Sequence, residues 1–194
     1  MKNLGRKLYH VLGGLGLLAM YICLGRTLGL GALLAIFLVV TAADFIRLRN
    51  PAINEFFFRY FKQFIRDNER DTLTGTPWYV LGILLVLLLY HLPAAVYGVL
   101  FLSVGDVAAT SVGQRWGSIK ISGKKSLQGT AAFLISALAA GLLVSHFYMP
   151  VVSGVIFAGA AAATLMEILP VPVNDNLTIP LVSGFVMEML LTLL

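Results

Sequence analysis

The chain has 194 residues, of which 59% are hydrophobic and 12% are charged, and its mean hydropathy is +0.90. These values exclude a soluble domain of this length, because too few polar residues are present to cover a water-exposed surface. The formal net charge is +5, but the basic residues form no block with interleaved aromatics. We therefore expect phosphates and anionic lipid headgroups as partners, and no nucleic acid. Cys23 is the single cysteine, which excludes disulfides within the chain and cysteine-based metal sites.

The apolar runs predict an all-α, polytopic transmembrane bundle in which residues 1–194 form a single integral membrane domain. A bilayer core requires ~20 apolar residues per helix. The sequence accordingly contains about seven spans, near residues 8–24, 28–46, 77–91, 93–112, 127–147, 149–168 and 176–194. The third and fourth spans are separated only by the tight turn His91-Leu92-Pro93. Small residues four positions apart predict close packing of the sixth span, at Gly154, Ala158 and Ala162.

Basic residues set the predicted orientation. Of the 14 lysines and arginines, 13 lie before the first span, between the second and third spans, or between the fourth and fifth. Arg26 alone falls on the opposite side. Because cytoplasmic loops retain Lys and Arg, the amino terminus and the active site are predicted to be cytoplasmic, and seven spans put the carboxyl terminus outside.

Residues 50–67 predict an amphipathic helix that lies in the cytoplasmic interface. Asn50 is a suitable N-cap, and Pro51 suits the first helical position. One face is aromatic and the other is charged, with Ile53, Phe56, Phe57, Tyr60, Phe61 and Phe64 opposite Glu55, Arg59, Lys62 and Arg66. This helix either anchors the protein or borders an entrance for a lipid substrate.

Two polar clusters belong to the amino-terminal half. Arg6 and His10 share a helical face beside Lys7, where they can meet a phosphate at the membrane surface or simply flank the first span. The stretch from Arg70 to Pro77, which includes Thr74 and Gly75, is either a polar contact surface or a capping turn. The sequence leaves both alternatives open.

A third cluster begins at Asp106, which shares one face of the fourth span with Thr110 and Gly113. An ionisable group at membrane depth is costly unless it is paired or binds a cation. The following cytoplasmic loop, 113–126, has the components of an anion site, because it offers positive charge, a glycine and a serine able to cap the fifth span. These components are Lys120, Gly123, Lys124, Lys125 and Ser126. The spacing differs from that of a Walker A loop.

The fourth cluster contains Glu167, Asp175 and Asn176. Asp175 or Asn176 is also a candidate cap for the seventh span. Together with Asp106, the two carboxylates offer three oxygen donors close to lysines, and hard oxygens with lysines indicate Mg²⁺ bound to a polyphosphate.

The ordered motifs resemble the CTP-dependent lipid kinases, namely the dolichol (polyprenol), phytol and diacylglycerol kinases, which are related to the CDP-diacylglycerol synthases. The motifs are Arg6-Lys7 near His10, Leu73-Thr74-Gly75, Gly105-Asp106-Val107-Ala108-Ala109 followed by Gly113, Lys124-Lys125-Ser126 followed by Gly129, and Glu167 with the later Asp175-Asn176. The synthase motif Lys-Asp with a later His-Gly-Gly-x-x-Asp-Arg is missing. The resemblance implies transfer of the γ-phosphate of CTP to a lipid alcohol. It also implies that Asp106, Gly113, Lys124, Lys125, Ser126, Gly129, Glu167, Asp175 and Asn176 surround the nucleotide and metal.

The resulting hypothesis assigns roles within one site. Asp106 and Asp175 hold Mg²⁺, with Glu167 either as a third ligand or behind these two, and Asp106, Lys125 and Asp175 are catalytic. The predicted nucleotide contacts are Arg6, Lys7, Thr110, Gly113, Lys120, Lys124, Lys125, Ser126, Gly129 and Asn176, and the predicted lipid contacts are His10, Thr74 and Gly75. The alternatives are a cytidylyltransferase, which releases pyrophosphate, and a small-molecule transporter, which usually carries its polar groups near the midplane.

Overall fold

A computed structural model describes residues 4–123 and 125–194, apart from the side chain of Asp67. This part of the chain is mainly α-helical, as the sequence predicted. It forms two compact units, one extending to Leu84 and the other from Leu85 to Leu194. The helices are α1 (Leu4–Arg49), α2 (Pro51–Phe61), α3 (Gly75–Leu89), α4 (Leu92–Leu100), α5 (Asp106–Trp116), α6 (Leu127–Phe147), α7 (Ser153–Ile168) and α8 (Asp175–Leu193).

Helix α1 bends sharply at Gly25, between the first two predicted spans. Gly25 has φ 74° and ψ 170°, a conformation that side chains disfavour and glycine tolerates. Tyr21 and Gly29 would be about 12 Å apart along a straight helix. A Cβ atom added to Gly29 would instead lie 3.0 Å from the Tyr21 Cα atom, so the backbone reverses its direction here.

The interfacial helix α2 begins as predicted and ends early. The Asn50 side chain accepts hydrogen bonds from the backbone N–H groups of Ala52 and Ile53, at 3.0 and 3.3 Å. The helix ends at Phe61 rather than at residue 67, and a 3₁₀ turn follows at Asp67–Glu69. That turn is closed by the Glu69 carboxylate, which accepts from the backbone N–H of Arg66 at 2.9 Å, and this local closure competes with further helix.

The core of the second unit is built where helices approach closely. Helix α4 packs on α8, α5 on α6, and α7 on both α6 and α8. Gly141 and Gly159 lie against Phe101, which is fully buried. The predicted packing stripe Gly154, Ala158 and Ala162 is wrong, because the buried face of α7 instead carries Val155, Ile156, Gly159, Ala160, Ala163, Thr164 and Glu167.

Part of the predicted loop 113–126 is ordered secondary structure. Helix α5 continues to Trp116, and β1 (Lys120–Ser122) then pairs antiparallel with β2 (Lys125–Ser126). Gly123 in the connecting turn has φ 54°, a left-handed conformation that favours glycine. The Gln128 side chain of α6 donates to Ser118 Oγ at 2.6 Å, and this bond ties the segment between α5 and β1 to α6. The two paired strands are called the ribbon.

Within the described residues, four helical segments are long and apolar enough to cross a bilayer: Leu4–Arg49, Leu92–Trp116, Leu127–Phe147 and Asp175–Leu193. Two further apolar helices, Gly75–Leu89 and Ser153–Ile168, are shorter. Large apolar side chains such as Leu28 and Ile135 are 68% exposed, as expected for surfaces that face lipid. The chain is therefore an integral membrane protein, and the count of seven spans stays a prediction.

Candidate active site

Lys125 connects two of the predicted motifs in the second unit. It lies in β2 directly before α6, and its ammonium nitrogen Nζ is 3.0 Å from Asp175 Oδ2 and 3.9 Å from Glu167 Oε1. The same ammonium group donates to the backbone carbonyl of Glu167 in the last turn of α7. Side chains that are 42 and 50 residues away from Lys125 in sequence therefore meet at one cation.

Glu167 forms the buried side of this cluster. Its side chain is 10% exposed, against 27% for Lys125 and 37% for Asp175, and Thr130 Oγ1 donates to Glu167 Oε2 at 3.2 Å. Glu167 and Asp175 thus share one ammonium group, and Lys125 and Asp175 are the more exposed members of this cluster. The membership of Asp106 in the same site stays a prediction.

Asp106 follows a local irregularity in its helix. A π-helical turn, Phe101–Gly105, separates α4 from α5, and Asp106 is the first residue of α5. Such turns occur frequently at functional sites, because the extra residue redirects the side chains that follow. The sequence contained no signal for this turn.

Two helices begin beside Lys125. Ser126 caps α6 by accepting a hydrogen bond from the Gly129 N–H at 3.2 Å, as predicted. Asn174 caps α8 by accepting from the Asn176 N–H at 3.0 Å, so neither predicted alternative cap is used. The Asp175 carboxylate is thereby available to Lys125. The amino ends of both helices carry partial positive charge, which together with the ammonium group favours a phosphate.

Gly113 and Gly129 lie where α5 and α6 cross. A Cβ atom on Gly129 would be 2.9 Å from the Ala109 carbonyl oxygen, and one on Gly113 would be 3.2 Å from Ser126 Oγ. Both glycines therefore permit close helix packing around the Ser126 cap. Their contact with a nucleotide stays a prediction.

Across residues 4–123 and 125–194, no three Asp, Glu, His or Cys side chains form a metal-binding group. Glu167 and Asp175 nevertheless surround one cation, the ammonium group of Lys125. This donor set fits Mg²⁺, which usually binds one or two carboxylates and takes its remaining ligands from water and substrate phosphates. The roles of Asp106, Glu167 and Asp175 as metal ligands stay predictions.

The other predicted nucleotide contacts of this unit have different surroundings. Thr110 is half-buried on α5, Lys120 is exposed on β1, and Asn176 is buried in the first turn of α8. Lys124 lies outside the described residues. Thr178 of α8 has a buried hydroxyl oxygen with no hydrogen-bond partner in the part of the chain that the structure describes.

In the first unit, Arg47 is one of the basic residues counted between the second and third predicted spans, and it belongs to a buried hydrogen-bond network that the sequence did not predict. Its side chain is fully buried, and Nε pairs with Asp44 Oδ1 at 2.7 Å. The i, i+3 placement of these two charged residues at the end of an apolar run was the signal. The remaining four guanidinium N–H groups are also satisfied, by Asn54 Oδ1 and by the backbone carbonyls of Glu69, Arg70 and Thr72.

The segment that includes Thr74 and Gly75 is an ordered turn. Asp44 Oδ2 accepts from the backbone N–H and the hydroxyl of Thr74, at 2.7 and 2.8 Å. The Gly75 N–H donates to Glu69 Oε1 at 3.1 Å. The turn alternative is therefore realised, while lipid contact by Thr74 and Gly75 stays a prediction.

The remaining predicted residues lie near the start of α1. Arg6 and Lys7 are half-buried there. His10 is buried and stacks on Tyr79 with ring centroids 4.3 Å apart, and the Tyr79 hydroxyl donates to the His10 carbonyl oxygen at 2.5 Å. Arg6 and Lys7 belong to the first unit and Lys125 to the second, so their common nucleotide site stays a prediction.

These features define the class as an α-helical integral membrane protein with a half-open cluster of acidic and basic groups. No family model matches the chain, and no solved structure matches it. The CTP-dependent diacylglycerol kinase 1 of Schizosaccharomyces pombe is 27% identical over 80% of this chain and 78% of its own. A probable chloroplastic phytol kinase of Triticum aestivum is 31% identical over 95% of this chain and 66% of its own. An uncharacterised protein of Rickettsia prowazekii is 30% identical over 91% of this chain and 88% of its own.

The chain belongs to the CTP-dependent lipid kinase family, as the motif order predicted. It is accordingly a phosphotransferase that acts on an alcohol.

Proposed function

We propose that the protein transfers the γ-phosphate of CTP to the hydroxyl group of a membrane lipid alcohol of the polyprenol (dolichol), phytol or diacylglycerol type. The observation that carries this proposal is the Lys125 ammonium group held by Glu167 and Asp175, because it joins the basic and acidic motifs in one half-open cluster. Two relatives named as kinases of lipid alcohols, one of them CTP-dependent, support the donor and the kind of acceptor.

Phosphoryl transfer requires in-line positioning and neutralisation of charge more than covalent chemistry. In this proposal, Lys125 moves from the carboxylates to the triphosphate, beside the amino ends of α6 and α8. Asp106 orients the lipid hydroxyl and accepts its proton while the oxygen attacks the γ-phosphorus. The new O–P bond forms as the bond to CDP breaks. The further nucleotide contacts are Arg6, Lys7, Thr110, Lys120, Lys124 and Asn176.

Asp106 and Asp175 would hold Mg²⁺, with Glu167 as a third ligand or behind these two, and the ion would supply charge neutralisation at the phosphates. The same proposal includes a cytoplasmic amino terminus and a cytoplasmic active site. Support for that orientation comes from the distribution of basic residues. Arg47 is removed from that count because its charge is paired internally, and the other residues of the count still favour the same side.

Purified protein given a lipid alcohol and CTP labelled at either the α- or the γ-phosphate tests the reaction. We expect labelled CDP from the α-label and a labelled lipid phosphate from the γ-label. Pyrophosphate with an α-labelled lipid would contradict the proposal in favour of a cytidylyltransferase, and neither product would favour a transporter.

The same assay tests the role of Asp106. The Asp106→Asn variant should lose about 10²- to 10⁴-fold in kcat, the usual contribution of a general base, with an unchanged unfolding temperature. Asp71→Asn replaces an exposed acid of the first unit and should retain activity. Full activity in a folded Asp106→Asn protein would remove Asp106 from the mechanism.

A further inference from the structure

An exposed tryptophan ends helix α5 in the second unit. Trp116 is the last residue of this helix, and its side chain is 60% exposed. The guanidinium carbon of Arg115 lies 4.9 Å from the centroid of the Trp116 ring, which is within the range of a cation–π contact. Tryptophan is enriched where proteins contact other molecules, because one side chain supplies a large aromatic surface. The end of α5 is therefore a candidate contact surface.

The backbone that follows Trp116 is held against the start of α6. A Cβ atom on Gly117 would lie 2.5 Å from Ser126 Oγ and 2.9 Å from Ser126 Cβ, so a side chain at this position would prevent the close approach. The Leu127 N–H also donates to the Ile119 carbonyl oxygen at 2.9 Å. These two contacts fix the end of α5 beside the residue that caps α6.

Lys125 directly precedes that cap. Because consecutive Cα atoms are 3.8 Å apart, the contact between Gly117 and Ser126 places the Cα atoms of Trp116 and Lys125 at most about 14 Å apart. A nucleoside triphosphate covers a distance of this order, since its ribose and phosphates separate the base from the terminal phosphorus. Trp116 and Lys125 both belong to the second unit, so one nucleotide can contact both side chains there.

The chemistry of this surface suits a nucleobase. Bases bind to proteins by stacking on aromatic rings and on guanidinium planes, and Trp116 and Arg115 offer one of each. Phosphates are favoured at Lys125, where the ammonium group and the amino ends of α6 and α8 carry positive charge. A nucleotide with its phosphates at Lys125 can therefore extend its base to the end of α5.

A membrane lipid is the alternative occupant of the same surface. A tryptophan at the membrane surface can anchor in the headgroup region, and Ile119 and Ile121 nearby are also exposed. An anchor of this kind requires no fixed distance to the phosphate cluster. The contact of Gly117 with Ser126 nevertheless fixes that distance, and Arg115 places a charge at the ring that acyl chains disfavour. These observations favour a nucleotide.

We infer that Trp116 binds the pyrimidine base of the nucleotide by stacking, beside Arg115, while Lys125 binds the phosphates. The inference rests on the proposed function and names the part of the site that holds the base. Every base has a π-face, so Trp116 supplies affinity for the nucleotide and not the choice of CTP over other nucleotides. The base is remote from the phosphorus that reacts, so this contact stabilises the ground state and the transition state equally.

Substitution of Trp116 should therefore change KM and leave kcat nearly constant. We expect Trp116→Ala to raise the KM for CTP by about 5- to 100-fold, the loss expected for one stacked base, with kcat within about twofold of the wild-type value. Trp116→Phe should recover most of the affinity. Phe147→Ala removes an exposed aromatic side chain at the other end of α6 and should change neither constant. A wild-type KM for CTP in Trp116→Ala would overturn the inference.

Fluorescence reports on the base contact directly. The chain has two tryptophans, so Trp78→Phe leaves Trp116 as the single indole, and the difference between the wild-type protein and Trp116→Phe gives the same signal without that substitution. We expect CTP to quench the Trp116 emission with saturation. Tripolyphosphate, which has no base, should displace CTP and restore the emission. Emission that CTP leaves unchanged and that brominated phospholipids quench would identify a membrane anchor and overturn the inference.

The wild-type assay separates the two possible failures. Protein that transfers no phosphate from CTP to any lipid alcohol contradicts the proposed function. Active protein in which neither the Trp116 emission nor the KM of Trp116→Ala responds as expected contradicts the base contact alone.

Discussion

At Lys125, one ammonium group lies within 4 Å of two carboxylates on the more exposed side of the cluster, so its removal should affect the active site more than the fold. We expect Lys125→Met to lower kcat by about 10²-fold or more, the usual loss when a group that stabilises developing charge is removed. Lys125→Arg should recover part of the activity, because it retains the charge but not the geometry. Steady-state kinetics with labelled CTP measure both effects.

The control for Lys125 is Lys62→Met, which removes an exposed lysine of the first unit. It should retain the wild-type kcat. A Lys125→Met protein as active as this control would show that the contacts of Lys125 with Glu167 and Asp175 are structural only.

Substitution of Arg47 should instead affect stability more than activity, because all of its guanidinium N–H groups are hydrogen-bonded inside the first unit. Arg47→Met leaves Asp44 buried without its counter-charge, and breaking a buried pair in this way costs about 3–5 kcal/mol. Thermal unfolding in detergent should show a large loss of stability. Arg49→Met, at the exposed end of the same helix, should unfold close to the wild-type temperature, and equal behaviour of the two variants would contradict the assignment.

The two residues also show what side-chain type alone can predict. Lys125 and Asp175 were predicted to share a site because a lysine before a helix and an acid near the start of another suit a phosphate and its cation. The buried network of Arg47 was not predicted, because a basic residue at the end of an apolar run looks the same whether it faces the headgroups or is buried. Its tertiary partners, which lie up to 25 residues away, decide between the two.

At the scale of elements, the crossing of α5 and α6 depends on the absence of side chains. A Cβ atom on Gly129 meets the Ala109 carbonyl oxygen at 2.9 Å, whereas one on Gly154 has no neighbour within 4 Å. Gly129→Ala should therefore destabilise the protein by about 1–3 kcal/mol, the usual cost of overpacking. Gly154→Ala should be neutral or slightly stabilising.

Thermal unfolding of both glycine variants, together with their kcat, measures this difference. Because Gly129 is hydrogen-bonded to the Ser126 cap beside Lys125, activity should fall along with stability in Gly129→Ala. A Gly129→Ala protein as stable as Gly154→Ala would mean that α5 and α6 move apart at little cost.

Helix boundaries were more predictable than helix faces. The predicted fifth span, 127–147, coincides with α6 (Leu127–Phe147), since a serine cap and a long apolar run define both ends. The prediction of the buried face of α7 was wrong, because glycine and alanine occur on more than one face of this helix. Their spacing alone does not select the face that meets α8. The ribbon was missed because its strands have three and two residues, too few for an alternating pattern.

For the whole molecule, the orientation in the membrane is the most direct prediction to test. Cys23 is the single cysteine and is exposed, close to the bend at Gly25. If the amino terminus is cytoplasmic, a membrane-impermeant maleimide should label the Cys23→Ser/Thr27→Cys variant in intact cells, because Thr27 lies between the two predicted spans and is exposed. In the Cys23→Ser/Ser118→Cys variant, labelling should require permeabilised cells, because Ser118 lies in the segment between α5 and β1. The reverse pattern would place the active site outside.

Composition alone predicted the membrane class, because 59% hydrophobic residues leave few alternatives. The order of weak motifs predicted the family.

The bend at Gly25 also has a consequence for the synthesis of the protein. Arg26 follows the bend directly, and burying an arginine at the centre of an inserting helix costs about 2.5–3.5 kcal/mol. Each leucine of the flanking segments contributes about 0.3–0.6 kcal/mol of favourable free energy when it enters the membrane. If the amino terminus is cytoplasmic, insertion of both segments together, as a helical hairpin, combines these gains and carries the arginine at the tip through the bilayer. The nascent chain is therefore expected to enter the membrane only after residues beyond the bend have left the ribosome.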